Sequence, residues 1–179
     1  MRRLQNDWRI FNLEIGKPVR VKRYQVVREE ELERRVTLAM SRPNCHAIVI
    51  VLDADDDCPK NLAPQLLSRA RSVARDILVS VVMPKSELES WFVGSIESLC
   101  GKRGISVSVS SPENPEDIRG AKGFLTNVME SQRHYIETAD QPALATVFNI
   151  DQAYRNCRSF RKFYKDLCGI MNQLSQENA

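Results

Sequence analysis

His46-Ala-Ile-Val-Ile-Val-Leu-Asp-Ala-Asp-Asp-Asp57 is an apolar, β-branched run that breaks off into aspartates. Continuous apolar character without alternation marks a strand covered on both faces. The flanking segments fit the same reading. Residues 28–42 predict a helix, with Leu32, Val36, Leu38 and Ala39 near one face and charges elsewhere, stopped by Pro43-Asn44. Residues 60–75 predict a second helix with Leu62, Leu66, Leu67 and Ala70 inward. Residues 77–83 are a second apolar strand, closed by Pro84-Lys85. Strand, helix, strand in this order predicts an α/β fold with a parallel sheet, a right-handed crossover and helices on both faces. In open parallel sheets functional groups collect at the strand carboxyl ends. Here those ends are residues 53–57 and 85–89.

Beyond this core the signals weaken. An amphipathic helix is expected over 87–99 and a short strand over 105–109, followed by helices at 115–129, 141–148, 151–157 and 160–174. Residues 18–26 alternate weakly, as an edge strand would. The expected organisation is a core over 1–103 and a loop and helical C-terminal extension over 104–179 packed on it.

The chain has 179 residues, enough to bury a core. No apolar run approaches the roughly 20 residues needed to span a bilayer, and the first residues lack a signal-peptide pattern. Five scattered cysteines without a CxxC pair suit a reducing cytoplasm and point to neither a disulfide framework nor a zinc site. The net charge of +3 is unevenly spread: residues 1–42 carry +5, residues 43–151 carry −5 and residues 152–179 carry +3. Basic flanks around an acidic middle suit a polyanionic partner.

Four carboxylates in five positions repel one another unless a cation compensates, and oxygen donors of this kind suit Mg²⁺ or Mn²⁺. An EF-hand is excluded, because its sixth and twelfth positions fall on Cys58 and Pro64. A phosphoaspartyl transferase is disfavoured because Asp57 stands where its motif has a small or Thr residue. Val51-Leu-Asp-Ala-Asp-Asp-Asp-Cys-Pro59 also resembles the D-x-D loop of nucleotide-sugar glycosyltransferases, but only 52 residues precede Asp53, too few for their nucleotide-binding half. Asp53, Asp55, Asp57 and Glu89 are the candidate metal ligands, with Asp53, Asp55, Glu87 and Lys85 as the catalytic set. On a helix Glu87 and Glu89 would point to different faces, so one of the two is expected at the site. Lys122, with Arg158, Arg161 and Lys162 interleaved with Phe160, Phe163 and Tyr164, is the candidate nucleic-acid contact set. Trp91 is expected as a core anchor.

Arg28-Glu-Glu-Glu-Leu-Glu-Arg-Arg35, Leu52-Asp-Ala-Asp-Asp-Asp-Cys-Pro59, Glu87-Leu-Glu-Ser-Trp91, Arg119-Gly-Ala-Lys122, Asp140-Gln141 and Arg158-Ser-Phe160 occur in that order. Together they resemble the Toprim-like family numbered 4276 among domains of unknown function. That resemblance implies a Toprim-like core, a divalent metal assisting phosphoryl transfer on nucleic acid, and an AAA or ABC-like ATPase encoded nearby in a defence or DNA-processing system. The family's usual opening strand and E-G-x-T-E stretch are not found, and Glu14-Ile-Gly16 does not replace them. Either the chain starts late or the general acid/base carboxylate is missing. A sheet lacking that strand would expose an edge inviting homodimerisation or pairing with another chain. Two readings follow: a metal-dependent nuclease, or a non-catalytic interaction module serving the ATPase.

Overall fold

The computed structural model describes residues 1–8, 13–27, 30–131 and 133–177. Two strands, β1 (Ala47–Val51) and β2 (Leu78–Val82), pair in parallel with Ala47 opposite Leu78 and Val51 opposite Val82. The connection between them carries α4 (Pro59–Val73), as the strand–helix–strand pattern requires. Its first helical residue is Pro59, where the missing N–H costs nothing. The protein is thus mixed α/β, with helices α1 (Arg2–Asp7), α2 (Arg23–Val27) and α3 (Glu31–Met40) before the sheet. After it come α5 (Ser90–Val93), α6 (Ala121–Asn127), α7 (Glu137–Ala145), α8 (Ile150–Asn156) and the long C-terminal α9 (Arg158–Glu177).

The sheet separates two apolar clusters. Leu32 and Val36 of α3, one turn apart, pack with Leu66 and Ala70 of α4 against Ile48, Ile50, Val79 and Val81. Arg69 ties the layer together: its guanidinium donates to both Glu33 carboxylate oxygens at 2.7 Å and to the Val27 carbonyl at 3.1 Å. On the other face Val49 and Val82 meet α5, α6, α8 and α9. Phe92, Phe148 and Phe160 pack edge-to-face there, with Trp91 against Phe160 and Phe163 at 5.1 Å. Such ring pairs add about 0.5–1.5 kcal/mol each beyond area burial. Trp91 is a core residue, anchored through its indole N–H to Ser159 Oγ at 2.7 Å. The second cluster draws on residues on both sides of position 104.

Several elements differ from the sequence expectation. The edge strand expected over 18–26 is replaced by irregular backbone and then α2. The strand expected over 105–109 is reduced to one antiparallel bridge between Ile105 and Met129. The helix expected over 87–99 breaks into α5 and a 3₁₀ turn, Ile96–Leu99. A Cβ on Gly94 would lie 2.3 Å from Cys157 Sγ, so close tertiary packing fills the break. Residues 115–129 divide into a 3₁₀ turn and α6 at Gly120, whose φ of 76° is left-handed. Arg28 and Glu29, the expected start of the helix before β1, lie outside the described residues, as does Gln132. No described helix is long and apolar enough to cross a membrane.

Candidate metal and phosphate site

The ladder between the strands continues past their ends. Leu52 N–H donates to Val82 O at 3.1 Å, Ala54 N–H to Pro84 O at 3.0 Å and Asp55 N–H to Ser86 O at 3.4 Å. The two strand-end loops are therefore fixed against each other. Strand alternation carries through as well: Leu52 and Ala54 stay in the α3–α4 cluster, while Asp53 falls in phase with Val49 toward the other face. There Leu88 N–H donates to Asp53 Oδ1 at 2.8 Å.

Asp55 and Asp57 go elsewhere. Asp55 has a φ of 50°, a left-handed conformation that aspartate tolerates, and Asp57 N–H closes the turn on Ala54 O at 2.9 Å. Arg23 supplies the basic partner that crowded carboxylates need. Its guanidinium donates to the carbonyls of Asp53 (2.9 Å) and Ala54 (3.1 Å), lies 3.2 Å from Asp55 Oδ2 and pairs with Asp57. Of the loop's four aspartates, Asp53 is the one turned toward the second-face carboxylates. Arg23 was not singled out in the sequence, where it reads as part of a weak strand.

Glu87 and Glu89 both lie beside Lys122, on which the Asp53 charge also acts. They precede Ser90, the first residue of α5, so the helical geometry that would have separated them does not apply. Glu87 accepts from Lys122 N–H at 3.1 Å and from Lys122 Nζ at 3.4 Å. Glu89 is fully buried. Its Oε1 accepts from Tyr135 Oη at 2.9 Å and Gln141 Nε2 at 3.3 Å, while its Oε2 has no hydrogen bond and faces Lys122 Nζ at 3.6 Å. Glu137 Oε2 lies 3.5 Å from the same ammonium.

The electrostatics follow from this crowding. Burial pushes the Asp53 carboxyl up to about 6; the Leu88 N–H opposes that and the Glu89 charge adds to it. Burial, with Glu89 beside it, drives the Tyr135 phenol far above its ordinary range, so it stays a hydrogen-bond donor. Burial alone would lower Lys122, but Glu89, Glu87, Glu137 and Asp53 outweigh it and hold the ammonium above its usual value. Two exposed basic side chains stand near these residues in sequence. Lys85 pairs with Asp117, and Arg119 lies 3.6 Å from Asp56 with both side chains about 90% exposed. Exposed pairs of this kind contribute little and exchange readily.

The structure thus gathers Asp53, Glu87 and Glu89 around Lys122, pairs Lys85 with Asp117 instead, and diverts Asp55 and Asp57 to Arg23. Arg158, Arg161 and Lys162 do not join them. Arg161 donates to the carbonyls of Tyr154 and Arg155 at the end of α8, and Lys162 pairs with Asp166. The Arg158 backbone N–H is bound by Glu116. Tyr135 and Glu137 were missed by sequence reasoning. Tyr135 lies 46 residues from Glu89, with no periodic relation to it. Gln141 stood in the Asp140-Gln141 pair without an assigned role. Among the described residues no three carboxylate, histidine or cysteine side chains are close enough together to share one ion.

Fold and site define a parallel-sheet α/β protein with a buried, incompletely hydrogen-bonded carboxylate cluster at its strand carboxyl ends. The chain belongs to the family described as Domain of unknown function (DUF4276), which matches residues 4–168. No curated protein and no solved structure matches it.

Proposed function

We propose that the protein is a divalent-metal-dependent, Toprim-like phosphodiesterase acting on nucleic acid. The observation that carries this reading is Glu89: a fully buried carboxylate with one oxygen lacking any hydrogen bond, adjoining Asp53. A buried, half-satisfied carboxylate is costly and asks for a cation. Asp53 and Glu89 offer the oxygen donors that Mg²⁺ or Mn²⁺ takes, an ion that is commonly held by one or two carboxylates and keeps waters at its other positions. When bound, such an ion would draw charge from a phosphodiester and assist attack at phosphorus.

The chain's own residues do the rest. Tyr135 and Gln141 fix the Glu89 carboxylate, and the Leu88 N–H fixes Asp53, so two donors are oriented before any substrate arrives. The exposed Lys85 and Arg119 exchange their carboxylate partners Asp117 and Asp56 for backbone phosphates. Asp55 and Asp57, with Arg23, hold the loop that presents Asp53 rather than acting as ligands themselves. The test is cleavage of supercoiled, linear and single-stranded DNA with Mg²⁺ or Mn²⁺, alone and with the ATPase expected from the resemblance. Wild type should cut and Glu89→Gln should not. Intact substrates with wild type, or equal cutting by Glu89→Gln, would refute the assignment.

A second reading, a non-catalytic interaction module, draws on β1. That strand is half-buried, pairs on one side alone among the described residues, and leaves Val51 37% exposed. On this reading Asp53→Asn and Asp55→Asn leave partner binding unchanged. Loss of binding in either variant removes it.

A further inference from the structure

Among the described residues the side of β2 turned away from β1 is unpaired. In the parallel register Leu78, Ser80 and Val82 exchange hydrogen bonds with β1, so the N–H and C=O groups of Val79 and Val81 point the other way. Among the described residues these four backbone groups have no hydrogen-bond partner, although Val79 and Val81 are buried. Buried backbone groups in folded proteins are almost always paired. A cavity of about 440 Å³ lies against them, walled by α4 on one side and α9 on the other. Leu67 lines the α4 wall, and Gly169 and Ile170 line the α9 wall. A Cβ on Gly169 would meet nothing within 4 Å. The exposed Arg71 of α4 and Arg75 just beyond it also line the cavity, and neither makes an ion pair among the described residues. The carboxylate in the lining, Asp166, is already bound by Ser80 Oγ and Lys162.

We propose that this slot receives an extended, acidic segment of a partner chain, which adds to the open edge of β2 as a third strand. The unpaired groups of Val79 and Val81 supply the main-chain hydrogen bonds of strand addition. Side chains of the added strand alternate between the two walls. Those facing α9 meet Gly169 and Ile170, which favour apolar groups. Those facing α4 pass Leu67 and reach Arg71 and Arg75, which favour carboxylates. The backbone groups would accept any extended chain, and the arginines choose among them. The same charges disfavour a second copy of this chain. A symmetric pairing of two β2 edges would bring two sets of Arg71 and Arg75 together. The slot is on the opposite sheet edge from the open side of β1, and its occupation requires neither a metal nor Asp53 and Glu89.

Hydrogen exchange of the free wild-type chain, read by NMR, comes first. The Val79 and Val81 amides should exchange at least about tenfold faster than those of Ser80 and Val82, which β1 holds. A phage-displayed library of random heptapeptides is then selected on wild type, and recovered peptides are synthesised with a fluorescein label for anisotropy. These peptides should be rich in Asp and Glu, bind about tenfold more weakly when salt is raised to about 0.5 M, and slow exchange at Val79 and Val81 on saturation. Gly169→Leu fills the slot from an exposed helical position and replaces a helix-weakening residue, so it should fold and bind at least about tenfold more weakly. Gly169→Ala should retain binding, and Arg71→Glu combined with Arg75→Glu should lose it. Equal protection of Val79, Ser80, Val81 and Val82 in the free chain would show the edge already covered and overturn the assignment. So would recovery of no peptide or of peptides without acidic residues, or equal binding by Gly169→Leu. A wild-type dimer that Gly169→Leu dissociates in sedimentation equilibrium would give the slot to a second copy and overturn it as well. The exchange arm does not depend on any variant folding.

Discussion

At the residue scale the site depends on backbone as much as on side chains. Gly120 immediately precedes α6 and takes a left-handed φ of 76°, and the Lys122 N–H two residues on is held by Glu87. A Cβ at Gly120 meets nothing within 4 Å, so the need for glycine is conformational rather than steric. Gly120→Ala is therefore expected to cost about 1 kcal/mol of stability in chemical denaturation. An unchanged midpoint would show that the left-handed turn is not required. Residue-level legibility was uneven for a related reason. Asp53 was readable because an apolar strand runs straight into it. Lys122 and Glu89 were both noticed, but their meeting was not, because sequence spacing carries no information about a turn built on one left-handed glycine. Tyr135 carried no signal at all.

Among elements, the clearest joint is the one between α3 and α4. Arg69 grips Glu33 through both carboxylate oxygens and also holds the last carbonyl of α2. The Arg69 hydrogen bonds keep the Glu33 carboxyl below its ordinary value. A carboxyl depressed in the folded state adds stability above its unfolded pKa and loses it as pH falls through the folded one. Arg69→Met should lower stability at neutral pH by roughly 1–3 kcal/mol and flatten the stability–pH curve below the ordinary glutamate range. An equally steep acid limb in the variant would place that dependence in other groups. The strands and α4 were legible because unbroken apolar runs and a Pro-started amphipathic helix are local properties. The helix expected over 87–99 failed because its interruption is tertiary: Gly94 presses on Cys157, its carbonyl accepts from Asn156 Nδ2 at 2.7 Å, and Ser95 Oγ bonds back to Trp91 O and Phe92 O. The edge strand expected over 18–26 failed in the same way. Arg23 is committed to the carbonyls of the β1 loop, and the backbone around it forms α2 instead.

For the whole molecule, the two-stranded sheet divides the apolar clusters and aims both strand ends at one point. The α3–α4 side holds Leu52 and Ala54 rigid, and the α5–α9 side receives the carboxylates. Asp53, Glu87 and Glu89 gather around Lys122 because the parallel register fixes the two loops side by side, which is why the acidic loop was legible as a site while its actual partners were not. Asp55 and Asp57 looked equivalent to Asp53 in the sequence; strand phase and Arg23 separate them. The central claim is that Asp53 and Glu89 are the carboxylates that take a divalent cation. Mn²⁺ titration of wild type and Glu89→Gln by electron paramagnetic resonance tests it most directly. Wild type should take up Mn²⁺, and Glu89→Gln should bind it at least about tenfold more weakly while keeping its fold by circular dichroism. Equal Mn²⁺ binding by the two proteins, or none by wild type, would contradict it.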